Sequence, residues 1–171
     1  MTFAVLVVFL AVATVTDLRD RRIPNALTAT GILVGLALGL VQGQVAASFL
    51  GLGAALAIGL PLFALGALGG GDAKLLGAVG ALLGPTSLVS ALLYAGLAGG
   101  AMTLLQAVRR GTIVPLLLRT FDLALWAVTL GRRGTRLSLD SPGAISIPYG
   151  AAIALGTLAA WFFPLLAGGA T

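Results

Sequence analysis

No cysteine, no histidine and no glutamate occurs in this chain of 171 residues. The lack of cysteine excludes a disulfide framework, a thiolate metal site and a cysteine nucleophile. The lack of histidine excludes Ser-His-Asp catalysis and histidine-ligated zinc. With glutamate missing too, acid–base chemistry rests largely on five aspartates: Asp17, Asp20, Asp72, Asp122 and Asp140. Charge of either sign is scarce at 9% of residues, where water-soluble domains carry about a quarter. Hydrophobic residues make up 59%. That balance places the chain among membrane proteins, with the lipid bilayer as its surroundings.

The net charge of +5 does not imply nucleic acid, because the basic residues lie in connections between apolar runs. The 25 glycines fit the same class, since small residues let transmembrane helices approach closely.

The first apolar run, 2–16, is slightly short of the roughly 20 residues that span a bilayer. No basic residue precedes it and a basic cluster follows it, which disfavours a cleaved signal peptide. Asp17 closes the run. A polar connection with Arg19, Asp20, Arg21 and Arg22 leads to Pro24, suited to the first turn of a helix. The second helix is expected over 26–41, with Gly31, Gly35 and Gly39 on one face. The third is expected over 45–68, with Ala47, Gly51, Ala55 and Gly59 on one face and a possible kink at Pro61.

The stretch 69–74, Gly-Gly-Gly-Asp-Ala-Lys, reads as a loop. A short fourth helix (75–83) follows, broken at Gly84-Pro85-Thr86, and then a fifth (87–108). A span over 116–130 would put Arg109 and Arg110 across the membrane from Arg132, Arg133 and Arg136. It is therefore read as an amphipathic helix lying in the interface, with an Arg119–Asp122 helical pair and Trp126 at the boundary. The last span is expected over 147–166, with Ala152, Gly156 and Ala160 as its small-residue face.

The expected fold is thus an all-α bundle of about six transmembrane helices, one domain over 1–171, with an interfacial helix between spans five and six. The first, third and fifth connections hold all ten basic residues. By the positive-inside rule these face the cytoplasm, and both termini face out. Asp17 and Asp72 then fall on the same face at similar depth. An ionisable residue at the edge of a membrane-length apolar segment is costly, which makes this pair the candidate functional site.

Three chemistries are open to two such carboxylates. Held a few ångströms apart they share one proton, so one is an acid and the other a base able to activate water. They could instead bind a cation or relay protons in a transporter, although no acid lies near the middle of a span, where coupling sites usually sit. Or each is an interfacial residue paired with a neighbouring Arg or Lys.

Two blocks carry a family resemblance. Asp17 is followed by Arg21-Arg22-Ile23-Pro24-Asn25, and Gly69-Gly70-Gly71-Asp72-Ala73-Lys74-Leu75 contains a G-x-G-D-x-K-L pattern. Together, in this order at two charged connections, they resemble the type IV prepilin peptidases. A softer match is Ile147-Pro148-Tyr149-Gly150-Ala151-Ala152-Ile153-Ala154.

The resemblance implies an integral-membrane aspartic endopeptidase of the bacterial inner membrane. It would remove a short basic leader from prepilin-like substrates at the cytoplasmic face, with Asp17 and Asp72 catalytic and no cofactor or metal. The chain is similar to the short form that serves Flp-type (tight-adherence) pili. The larger, bifunctional members carry Cys-x-x-Cys pairs and methylate the product, and here methylation is not expected. Gly69 and Gly71 are expected to permit the loop geometry. Lys74 is expected to tune Asp72 or meet lipid phosphate, and Pro24 and Asn25 to shape the loop beside Asp17. Arg19, Arg21 and Arg22 read as topology determinants, and Asp20, Asp122 and Asp140 as solvated or structural. The stretch 111–143 is left to membrane anchoring or to contact with pilus assembly components. A transporter using the same acids, or a non-catalytic assembly subunit, are the readings from other classes.

Overall fold

The computed structural model of the chain describes residues 2–129 and 149–166. The described residues are all helix and connections: α1 (Thr2–Asp20), α2 (Asn25–Val41), α3 (Val45–Ala64), α4 (Gly70–Arg110), α5 (Ile113–Val128) and α6 (Tyr149–Phe162). Three of these, α1, α3 and α4, are long and apolar enough to cross a membrane. The outside of the bundle is apolar as well: Leu33, Leu40, Val41, Leu50, Leu97 and Val128 are all exposed. Water would not tolerate that surface, whereas lipid does.

The interior is built from small residues. Gly31, Gly35 and Gly39 are buried along α2, and Gly51, Ala55 and Gly59 along α3, as their four-residue spacing predicts. The tightest crossing is between Gly51 of α3 and Gly80 of α4, where a Cβ on either glycine would fall on the other's carbonyl oxygen. Gly156 of α6 packs with similar closeness on Ala95 of α4, and Gly31 of α2 on the Phe9 ring of α1. Glycine at such points allows backbones to approach without a side chain between them, which is how helices associate when apolar burial offers no advantage over lipid.

The first half of α4 is the axis around which the bundle is built. From Leu75 to Gly84 every residue is buried, and α2, α3 and α6 all pack on α4. Two helices are expected in this region, and α4 consists of two helical halves that meet at Gly84. The expected break is present as a kink at Gly84, whose backbone (φ 75°, ψ 175°) is open to glycine almost alone. Pro85 follows at the start of the new helical direction, where its missing N–H costs nothing.

Other boundaries shift for local reasons. α1 continues past 16 to Asp20 and then stops at Arg21 in the left-handed region (φ 52°). α3 ends at Ala64 rather than 68, because Gly66 (φ 72°) closes it. The Gly66 N–H reaches the Phe63 carbonyl and the Ala67 N–H reaches that of Leu62, a Schellman cap. The 69–74 stretch is not a loop: α4 begins at Gly70, so Asp72 stands in its first turn. The helix expected over 116–130 is α5, beginning at Ile113, and it packs against α4. The span expected over 147–166 is represented by α6, which ends at Phe162, before Pro164. The Arg119–Asp122 pair, the boundary role of Trp126, and Arg132, Arg133, Arg136, Asp140, Ile147 and Pro148 lie outside the described residues.

Candidate active site

Four chain segments meet at one end of the bundle: the last turn of α1, the connection into α2, the first turn of α4 and the first turn of α6. The opposite end is marked by Gln42, whose side-chain amide donates to the Thr2 hydroxyl at 2.7 Å, and by Gly84 beside Ala47.

Asp17 is on the last turn of α1, where a carboxylate faces the negative end of its own helix dipole. It is also buried, with 7% of its surface exposed. Both conditions are unfavourable, and another helix offsets them. The Gly150 N–H, in the first turn of α6, donates to Asp17 Oδ2 at 2.8 Å in a buried hydrogen bond. Asp17 is thus at the wrong end of α1 but at the favourable, positive end of α6.

Asp72 has the opposite arrangement. It is the third residue of α4 after the cap at Gly69, and its carboxylate accepts a hydrogen bond from the Gly69 N–H. That is the return half of a capping box, made without a Ser or Thr partner because the cap is glycine. The two carboxylates lie within electrostatic range of each other, and Asp72 acts in the same way on Tyr149, the first residue of α6.

The supporting glycines act by leaving space rather than by bending the chain. Gly69 is extended (φ −71°, ψ 150°), and Gly70 and Gly71 are helical, so none of the three adopts a conformation that excludes other residues. A Cβ on Gly69 would lie 2.8 Å from Asp72 Oδ2. One on Gly71 would lie 3.2 Å from the Ile23 side chain, which is buried against it. Pro24 caps α2 in an extended conformation, so the chain turns sharply into α2 directly after Ile23.

Lys74 has a protein partner that neither expected role included. Its ammonium donates to Asn25 Oδ1 at 2.7 Å, on the exposed side, and ties the start of α2 to the start of α4. Lys74→Ala and Asn25→Ala should each lower stability by less than about 1 kcal/mol, as exposed polar pairs do. The double variant should cost little more than either alone, a shortfall from additivity that thermal unfolding of the four proteins would detect.

Asp20 is exposed, three residues beyond Asp17, and stands apart from this arrangement. Tyr149 and Gly150 are the members of the site to which the sequence assigned no role. The signal for them was the Ile147–Ala154 stretch, which resembled the family without indicating what its residues touch. A cleft of about 390 Å³ between the second half of α4 and α5 is lined by Gly96, Gly100, Thr103 and Leu116 and reaches Tyr149 at the start of α6.

A model of the type IV leader peptidase family matches residues 4–104. The matched stretch holds both carboxylates and the segments that carry them, and α6 lies beyond it. No curated protein and no solved structure matches the chain.

Proposed function

We propose, for a chain that belongs to the type IV leader peptidase family, that Asp17 and Asp72 form an aspartic dyad that cleaves the leader of a prepilin-like substrate at the cytoplasmic face of the inner membrane. The observation that carries this reading is the pairing of the two acids. They come from helices far apart in sequence, at one end of an apolar bundle, each held by a backbone N–H at a helix start.

One carboxylate takes a proton from water as the water attacks the scissile carbonyl. The other, protonated, gives its proton to the carbonyl oxygen or to the leaving amine. Acid and base are assigned to the pair rather than to one residue, since two neighbouring carboxylates share these roles. No metal or cofactor is required by this chemistry.

A six-span reading counts α1, α2, α3, the two halves of α4 on either side of the Gly84 kink, and α6. The orientation rests on the ten basic residues, all in connections assigned to the dyad's side. A basic leader would then stay at that face while the substrate's apolar helix lies in the bilayer. An Flp-type pilin is the substrate placed first, because this cysteine-free chain resembles the short form of the family. On the same ground it acts as a peptidase without methyltransferase activity.

The test is cleavage of candidate prepilins by purified protein in detergent or liposomes, with product masses mapped. A single cut at the leader junction is the expected result. Intact substrate from several prepilins, with protein shown to be folded, would overturn the reading.

A further inference from the structure

We infer that Gly150 is the positioning residue for Asp17. Its N–H holds one carboxylate oxygen, and its missing side chain is the space that the carboxylate occupies. The assignment of a catalytic consequence rests on the proposed dyad; the contact itself does not.

The argument has three parts. First, the hydrogen bond is direct, at 2.8 Å, and buried, and it joins residues from opposite ends of the chain. A buried carboxylate with such a donor is held in one rotamer, because leaving it unpaired would cost the full desolvation penalty. Second, a Cβ on Gly150 would lie 2.8 Å from Asp17 Oδ2 and 3.1 Å from both Cβ and Cγ of Asp17. Rotation about χ1 relieves the contacts to Oδ2 and Cγ, while the contact to Cβ, which lies on the rotation axis, is relieved only by a shift of a few tenths of an ångström between the two helix ends. Rotation would carry the carboxylate off the Gly150 N–H. Third, α6 cannot retreat to make room, because Gly156 packs it directly on the α4 backbone at Ala91 and Ala95. Asp17 therefore takes its position from a helix outside the two blocks that carry the acids.

The test is a pair of measurements on Gly150→Ala. The first is a stability cycle with Asp17→Ala, read by thermal unfolding in detergent; Asp17→Ser serves if Asp17→Ala does not fold. Alanine is the better helix former, so without the contact the substitution should stabilise. With Asp17 present it should instead lower Tm by about 4 °C or more, and with Asp17 truncated it should leave Tm unchanged or raised. Equal shifts in the two backgrounds would overturn the inference.

The second is the split between kcat and KM on a cleaved prepilin. Displacing a reacting group by about 1 Å costs on the order of a hundredfold, so kcat should fall by about that factor while KM stays within twofold. An unchanged kcat, or a loss carried entirely by KM, would also overturn it. Gly53→Ala, at a helical glycine with open space around it, is the control and should leave both constants unchanged. If wild type cleaves no prepilin, the proposed function fails while the stability cycle still decides whether Gly150 holds Asp17.

Discussion

Asp17→Asn and Asp72→Asn should each lower the rate of leader cleavage by about a thousandfold or more, while leaving folding and membrane insertion intact. The two halves of this expectation have separate physical grounds. An amide neither takes a proton from water nor gives one to a leaving amine at neutral pH, so either change removes a proton-transfer partner outright. The fold should survive because asparagine keeps the shape of aspartate and keeps one carbonyl oxygen. In Asp17→Asn that oxygen can still accept from the Gly150 N–H, and in Asp72→Asn from the Gly69 N–H. Stability within about 1 kcal/mol of wild type is therefore expected. The double variant should be no slower than the slower single one, since groups that act as a unit are not additive. Single-turnover cleavage, with thermal unfolding of the same preparations, checks both halves. Substantial activity in either single variant would sink the dyad.

Gly51→Leu should have the largest effect on folding. At Gly51 the α3 and α4 backbones are in contact through the Gly80 carbonyl, and the Gly84 Cα is 2.8 Å from where a Cβ would sit. The obstacle is backbone, so no rotamer change relieves it. Even Gly51→Ala must part the helices, at about 3 kcal/mol, the upper end of the usual overpacking range. Gly51→Leu should give little folded protein. A matched change at Gly53, two residues along the same helix with nothing nearby, should be neutral or stabilising by up to about 1 kcal/mol. Yield and Tm of the two alanine variants, measured side by side, decide the matter. Similar values would mean that α3 and α4 do not cross here.

How much of this was legible beforehand differs from element to element. The register of α2 and α3 was legible, because glycine and alanine every four residues have few explanations in an apolar run other than close packing. The break at Gly84-Pro85 was legible from residue chemistry alone. The helical state of 70–74 was not. Three successive glycines argue for a turn on propensity, and what overrides it is the packing of Ile23 and Phe63 into the space they leave, together with the Gly69–Asp72 hydrogen bond. The Lys74–Asn25 hydrogen bond was not legible for a related reason: the two residues are 49 apart in sequence and meet only through the packing of α2 and α4.

Composition by itself determined the class of the protein and the kind of chemistry open to it. Scarce charge and long apolar runs call for a lipid surrounding, and a chain without cysteine, histidine or glutamate leaves aspartate as its principal acid and base. Only the tertiary structure decided which helix lies at the centre and what holds Asp17. In a soluble protein the buried face of a helix is apolar and the outer face polar, so periodicity reveals the core. Here both faces are apolar, and the buried stretch 75–84 reads in sequence like its lipid-facing neighbours. The Gly150–Asp17 hydrogen bond spans 133 residues of chain, and it exists because α6, seated through Gly156 on α4, brings its N-terminus against the end of α1. Local residue pattern carries no record of that meeting, which the fit of helix surfaces alone determines.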